Sequence, residues 1–397
     1  MRLFFKISRL IAFGLLIWII LALGSCAPAR TILKQADLSP SFYAPTRLDD
    51  VSASFKSLEQ AIYGDFIAPT KFELKTSEIV SKEWLNGKAS VQRRIYNISH
   101  GQPDQDFEII FISPNNQSDA PIIISQNFSS NKAVISVEGY SPLSNEKSTM
   151  GPLGPIFTFF FGRHIVEPPL EDIINRGYSF IAMHPPDYLA DHADKATDQL
   201  NAIFGNSPDR PGALMTWASL STSLADELKS EFPTRPIIAF GHSRYGKTAL
   251  LAAAYSRSID GVIAHQSGTA GASLMRDETG ESLRQLVKNY PHWLKPSASQ
   301  YANAPRTLPT DSHALLAHLS PKPVLLGNAR RDVWSDPEGA FQAAKWAANN
   351  TTQSLSATRL DDFKPKDDIA IWTRPGTHGV VKEDWPAFLK FLDAHFK

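Results

Sequence analysis

A serine follows a short apolar run near the middle of the chain. Residues 236–240, PIIAF, are uncharged and lead directly into GHSRYGK at 241–247, after which an alanine- and leucine-rich stretch with helical spacing runs over 248–256. A serine on a tight turn between a strand and a helix exposes its hydroxyl for nucleophilic attack. The backbone N–H groups and the positive end of the helix would stabilise a developing oxyanion. Ser243 is therefore the candidate nucleophile, although the spacing G-x-S-x-x-G is one residue longer than the usual G-x-S-x-G.

A nucleophilic serine needs a base that is oriented by an acid, and later segments of the chain supply both. Asp332 follows the apolar run 323–327, and His378 follows the last such run, 368–373, in a glycine-flanked loop. The order serine, acid, histidine is that of the α/β-hydrolases. The sequence predicts a triad of Ser243, Asp332 and His378.

Each of these residues also has a structural interpretation. Ser243 could cap a helix, which is a common role for serine. Asp332 could pair with the two arginines that precede it, and His378 could be a solvated loop residue. Asp336 is a second candidate for the acid.

The elements that must position these residues follow from hydrophobic patterning. A β-rich run at 107–112 ends at a turn signal, SPNN. Short apolar runs of the kind found in buried strands recur at 121–125, 178–183, 236–240, 261–264, 323–327 and 368–373. The clearest amphipathic stretches of helical length lie at 214–230, 248–256 and 339–348. Near-continuous apolar runs suit the central strands of a parallel sheet that is buried on both faces. Strands alternating with helices predict an α/β fold with a doubly wound, mostly parallel sheet between helical layers.

Composition and motifs exclude several other classes. The 397 residues contain 40 Lys+Arg and 40 Asp+Glu, so no net charge draws the chain to nucleic acid. No zinc-protease helix motif, Walker A loop or dinucleotide-binding glycine motif occurs, so we expect no metal site and no cofactor. His184, Asp187, Asp191 and His192 form a loose set that we interpret as a pocket wall, with metal binding as the weaker alternative.

The N-terminus has the pattern of an export signal. A basic start is followed by 14 uncharged, almost wholly apolar residues at 10–23, too few for a typical membrane span. The following LGSC, ending at Cys26, looks like a bacterial lipobox, in which the cysteine is lipidated. An ordinary secretory peptide or an uncleaved anchor is the alternative. Because residue 27 is alanine and not aspartate, we expect a lipid-anchored protein of the cell envelope, with the outer membrane favoured, on its periplasmic or external side.

The domain organisation that we predict has three parts. They are a lipoprotein signal peptide at 1–25, a tether and N-terminal extension at 26–75, and a catalytic domain at 76–397.

Several spaced motifs carry a family resemblance. Residues 241–249, GHSRYGKTA, resemble the G-x-S-R-x-G-K-x-A motif of the glucuronoyl esterases, carbohydrate esterase family 15, which has the additional residue before the second glycine. Further matches in order are QSGTAGA at 266–272, YPHW at 290–293, LPTDSH at 308–313, DVWSDP at 332–337 and GTH at 376–378.

The resemblance implies an α/β-hydrolase that cleaves esters joining glucuronic acid on xylan to lignin alcohols. Ser243 would attack the uronoyl carbonyl, His378 would transfer the proton, and Arg244 would help to hold the oxyanion. Three side chains match, or nearly match, positions that contact the uronic sugar: Lys247, Glu281 and Trp334. An exposed helix lysine, a solvated helix acid and core packing are the respective alternatives for these three residues.

One departure from the family pattern affects the acid. Some members carry the triad glutamate where this chain has Gln266, and glutamine cannot act as a carboxylate. Other members place the acid after the next strand, where Asp332 stands. The alternatives for function are another ester, such as acetylated xylan, and a carbohydrate-binding lipoprotein with little turnover.

Overall fold

A nine-stranded sheet forms the centre of the molecule, in the order β1-β2-β3-β5-β4-β6-β7-β8-β9. The computed structural model describes residues 42–101, 103–143, 158 and 161–397. The strands are β1 Lys71–Glu83, β2 Ala89–Ser99, β3 Gln105–Pro114, β4 Ile122–Gln126, β5 Ser179–Met183, β6 Ile237–His242, β7 Gly261–His265, β8 Val324–Ala329 and β9 Ile369–Arg374.

Helices cover both faces of this sheet. In the described part of the chain the α-helices are α1 Val51–Leu58, α2 Trp84–Gly87, α3 Asn131–Val134, α4 Leu170–Asn175, α5 Ala193–Phe204, α6 Ala213–Glu231, α7 Arg244–Tyr255, α8 Leu283–Asn289, α9 Ser312–His318, α10 Pro337–Ala348 and α11 Asp384–Phe396. The buried apolar residues of α6, α7, α9 and α10 belong to one hydrophobic core, and those of α4 and α11 belong to the other.

Strand residues alternate between the two cores. In β4, Ile122 and Ile124 lie in the core with α6 and α7, whereas Ile123 lies in the core with α4 and α11. Alternating side chains of a strand point to opposite faces, so a strand buried on both faces is apolar throughout. The predicted doubly wound, mostly parallel sheet is confirmed: the neighbours from β5 through β4 and β6 to β9 are parallel.

The N-terminal third of the sheet differs from the sequence-based interpretation. β3 was predicted as a strand with no direction assigned, and it pairs antiparallel with both β2 and β5. Burial on both faces makes a strand apolar whatever its direction, so the pattern could not distinguish the two. β1 was not predicted, because it is an edge strand whose side chains are mostly exposed and polar. β2 was not predicted either, because polar residues such as Arg93 and Arg94 interrupt its apolar residues.

The segment before β1 is partly built into the fold. Phe55 and Leu58 of α1, with Ile62 and Tyr63 after it, belong to the core beneath α9. The predicted boundary at residue 75 falls inside β1. The predicted signal segment 1–25 and Cys26 lie outside the described residues. Among the residues that are described, no helix has the length and apolarity needed to cross a membrane.

Candidate active site

Ser243 lies on the turn that joins β6 to α7. Its backbone has φ 55° and ψ −123°, and its N–H donates to the carbonyl of His265, the last residue of β7, at 2.8 Å. A positive φ with this ψ is strained for a residue with a side chain, and it persists only where the surroundings enforce it. The Ser243 side chain makes no capping hydrogen bond to α7, which leaves the hydroxyl available for chemistry.

The additional residue in the motif has a steric explanation. A Cβ at Gly241 would overlap the carbonyl oxygen of Tyr245, and one at Gly246 would lie 3.1 Å from Cβ of Ser267. Helix α7 therefore approaches β6 at Gly241 and the end of β7 at Gly246. Tyr245 itself is buried against aromatic rings of α6 and of the loop after β4, so this position holds a large side chain and not a glycine.

His378 and Asp332 form a close pair at the carboxyl edge of the sheet. His378 Nδ1 lies 2.7 Å from Asp332 Oδ2, and the aspartate is completely buried. Burial alone would raise the pKa of Asp332, but the charge and hydrogen bond of His378 and the hydrogen bonds of Ser335 outweigh it and lower that pKa. An ionised carboxylate only accepts hydrogen bonds, so Nδ1 of His378 donates and Nε2 is left as the proton acceptor.

Asp336, the second candidate for the acid, caps the N-terminus of α10. Its Oδ1 accepts the N–H of Gly339 at 2.9 Å as the N-cap of α10, and its Oδ2 accepts the hydroxyl of Thr279. The structure pairs His378 with Asp332 and leaves Asp336 at the helix cap.

The imidazole of His378 lies beside the Ser243 turn, because it packs against the ring of His242. The two imidazole rings lie 4.6 Å apart between centroids, and His242 directly precedes Ser243. Burial, with the neighbouring His378 and His265, holds the pKa of His242 well below its ordinary value. This ring is therefore neutral and does not compete with His378 for a proton.

Arg244 is held by one carboxylate and several aromatic rings. Its Nη1 pairs with Asp191, and its guanidinium lies 4.9 Å from the ring centroid of Trp293 and 5.2 Å from that of Phe128. Asp191 Oδ1 is also 3.0 Å from both His292 Nε2 and Trp293 Nε1. Asp191 was predicted only as part of a pocket wall, because its partner is 53 positions away.

Lys247 of α7 and Glu281 are both buried. The ammonium of Lys247 donates to the carbonyls of Ser267 and Thr269, so it is not the exposed helix lysine considered above. Burial lowers the pKa of Lys247 and raises that of Glu281, and their opposite charges partly offset both shifts. Oε1 of Glu281 is buried without a hydrogen-bond partner in the described part of the chain.

Trp334 and Gln266 complete the set of predicted positions. Trp334 is half-buried, and its carbonyl accepts the N–H of Glu281 at 2.9 Å. Gln266 follows β7, and its amide contacts the backbone on both sides of His378. Across the described ranges, no group of three or more His, Cys, Asp or Glu side chains is arranged to hold a metal ion.

A family match covers the elements that carry most of these residues. Residues 168–355 match the family model described as "Glucuronyl esterase, fungi". Over this range the chain is similar to the glucuronoyl esterases. The matched range contains the Ser243 turn and Asp332 and ends before the histidine loop.

Curated esterase relatives match over part of their length. The chain is 34% identical over 193 residues to "Carbohydrate esterase MZ0003" of an unknown prokaryotic organism, covering 46% of this chain and 44% of that one. It is 26% identical over 162 residues to "4-O-methyl-glucuronoyl methylesterase 1" of Wolfiporia cocos, covering 38% and 40%. The chain thus spans less than half of the length of these relatives.

A solved glucuronoyl esterase shares the fold over nearly its full length. The enzyme from Solibacter usitatus superposes with a TM-score of 0.76 at 24% identity, covering 90% of this chain and 99% of that one. The predicted α/β-hydrolase fold is confirmed by this likeness.

Proposed function

We propose that this chain is a serine esterase that hydrolyses esters of 4-O-methyl-glucuronic acid, as in lignin–glucuronoxylan linkages. The observation that carries the proposal is the pair that His378 forms with the buried Asp332 beside the Ser243 turn. The family match and the name of the Wolfiporia cocos relative support the substrate class.

The proposed reaction passes through an acyl-enzyme. Nε2 of His378 takes the proton of Ser243 as its oxygen attacks the uronoyl carbonyl, and Nδ1 donates to Asp332 throughout. His378 then passes that proton to the leaving alcohol, and water hydrolyses the acyl-enzyme with His378 again as the base. The N-terminus of α7 and the guanidinium of Arg244 stabilise the oxyanion.

The buried cluster of Lys247 and Glu281, with Trp334, provides the proposed sugar site. Lys247 and Glu281 can hydrogen-bond sugar hydroxyls, and Trp334 can stack against a sugar face. The unpartnered Oε1 of Glu281, within the described residues, is an acceptor for such a hydroxyl.

The substrate class is tested with two esters. Purified protein should hydrolyse a benzyl ester of glucuronic acid, with little release of acetate from acetylated xylan. Release of acetate alone would keep the serine mechanism and reject the uronate substrate. Hydrolysis of neither ester would favour a carbohydrate-binding protein.

We also propose that Cys26 is lipidated and anchors the protein in the cell envelope, with the outer membrane favoured. The basic start, the short apolar run and the position of the cysteine support this proposal. Expression in a bacterial host with an alkyne fatty acid should label the full chain but not Cys26→Ala. Equal labelling of both proteins would reject the anchor.

A further inference from the structure

The side chain of Gln266 bridges the two residues that flank His378. Its Nε2 donates to the carbonyl of Thr377 at 3.2 Å, and its Oε1 accepts the N–H of Gly379 at 2.8 Å. The side chain is buried, and these two partners fix which end of the amide is the donor. One amide therefore holds the backbone immediately before and immediately after the candidate base.

The backbone of Gln266 is itself anchored to the sheet. Its N–H donates to the carbonyl of Gly327 in β8 at 2.7 Å, and its carbonyl accepts the hydroxyl of Ser335 at 3.3 Å. Ser335 also contacts both members of the pair, through its N–H to Asp332 Oδ1 and its hydroxyl to His378 Nδ1. Gln266 thus connects the histidine loop to the same rigid strand ends that carry Asp332.

A second set of contacts holds the loop without Gln266. Arg374 Nη2 donates to the carbonyls of Thr377 at 3.0 Å and Gly379 at 2.9 Å. His265 Nε2 also lies 3.0 Å from the carbonyl oxygen of Gly379. These contacts reach carbonyls only, whereas Gln266 also holds the Gly379 N–H. Loss of the Gln266 amide would leave the loop attached through these carbonyls but would release the Gly379 N–H, directly after His378.

We propose that Gln266 is a positioning residue that sets the orientation of His378 between Asp332 and Ser243. The proposal rests on the serine esterase function proposed above. The position requires an amide, because it must donate to one backbone group and accept from another. A carboxylate at 266 would meet the Thr377 carbonyl with no donor and would leave that contact unsatisfied.

The test compares Gln266→Glu and Gln266→Met with a matched control, Gln353→Met. Gln353 is also buried and donates to the carbonyl of Lys322, but it lies at the opposite, amino-terminal edge of the sheet. For each protein, kcat and KM are measured on the glucuronate benzyl ester. The rate at which a fluorophosphonate labels Ser243 is measured as well, since it reports activation of the serine without a sugar substrate.

Both Gln266 variants should lose about 10- to 100-fold in kcat, because small misplacements of a catalytic group cost this much, while KM changes less than about threefold. Fluorophosphonate labelling should slow in parallel, and Gln353→Met should retain both rates. Full kcat and labelling in Gln266→Glu would overturn the proposal, and this variant stays informative if Gln266→Met does not fold.

A double variant, Asp332→Asn with Gln266→Glu, separates positioning from acid function. If the 266 side chain faces the loop backbone, the double variant should be no faster than Asp332→Asn alone. Recovery of turnover would show that this position reaches Nδ1 of His378, and would overturn the proposal. If the fluorophosphonate labels the wild-type protein but that protein hydrolyses no uronate ester, the proposed substrate is rejected. The labelling rates of the variants still test the positioning role of Gln266.

Discussion

Two aspartates four positions apart have opposite electrostatic surroundings. Asp332 faces His378, whose charge and hydrogen bond overcome the effect of burial and lower the aspartate pKa. Asp336 faces the neutral donors Thr279 and Gly339, and burial outweighs their hydrogen bonds and raises its pKa to about 6. Both residues are buried aspartates, so their hydrogen-bond partners decide which of the two carboxylates can orient a histidine.

Asparagine at each of these positions should therefore have different effects. Asp332→Asn should lower kcat by about 10³- to 10⁴-fold, because the amide no longer stabilises the imidazolium or fixes its tautomer. Asp336→Asn should keep kcat within about threefold, because asparagine is an equally good N-cap. Steady-state kinetics on the uronate ester measures both, and equal losses in the two variants would reject Asp332 as the acid.

The ion pair between Arg244 and Asp191 leads to a second prediction about single residues. Asp191→Asn would leave the guanidinium without its ion pair while an amide oxygen still accepts from Trp293. We expect kcat to fall by about tenfold or more, because oxyanion donors must be held in place before the reaction. Asp209→Asn is the control, since Asp209 pairs with Lys295 at an exposed position. An unchanged kcat in Asp191→Asn would contradict the positioning of Arg244 by Asp191.

At the scale of elements, the start of α10 should make stability depend on pH. The folded state binds the Asp336 proton more tightly than the unfolded state, since the pKa is raised from 3.8 to about 6. The resulting stability is fully present below the unfolded pKa and is lost as pH rises through about 6. Asp336→Asn should therefore gain up to about 3 kcal/mol relative to wild type between pH 4 and pH 7. Urea unfolding at several pH values measures this, and parallel curves would contradict it.

The junction of β9 and α11 carries a buried ion pair that supports the histidine loop. Arg374 Nε lies 3.0 Å from both carboxylate oxygens of Asp384, which also accepts from Trp372 and Val381. Burial would raise the pKa of Asp384, but His265 and Arg374 outweigh it and lower that pKa to about 2.

Removing one partner of this ion pair should strongly destabilise the folded protein. Asp384→Ala would leave the Arg374 charge buried and unpaired, at a cost of about 3–5 kcal/mol in the free energy of unfolding. Denaturant unfolding at neutral pH measures the loss. A change under about 1 kcal/mol would show that solvent reaches Arg374.

At the scale of the whole molecule, the parallel half of the sheet could be predicted from the sequence. Its strands are buried on both faces and are therefore apolar throughout, and the order of Ser243, Asp332 and His378 follows from the order of the strands. The edge strand β1 has no buried face to produce a pattern, so it was not predicted.

The supporting residues could not be predicted because their partners are remote in sequence. Asp191 lies 53 positions from Arg244, and Gln266 lies 113 positions from Gly379. Only the folded sheet brings these groups together, at the edge where its parallel strands end.

The most direct test of the proposed mechanism is the hydrolysis of the glucuronate benzyl ester by wild type and by Ser243→Ala. Wild type should turn the ester over, and Ser243→Ala should lose at least about 10³-fold in kcat, since alanine removes the nucleophile of the acyl-enzyme. Comparable turnover by Ser243→Ala would contradict the mechanism.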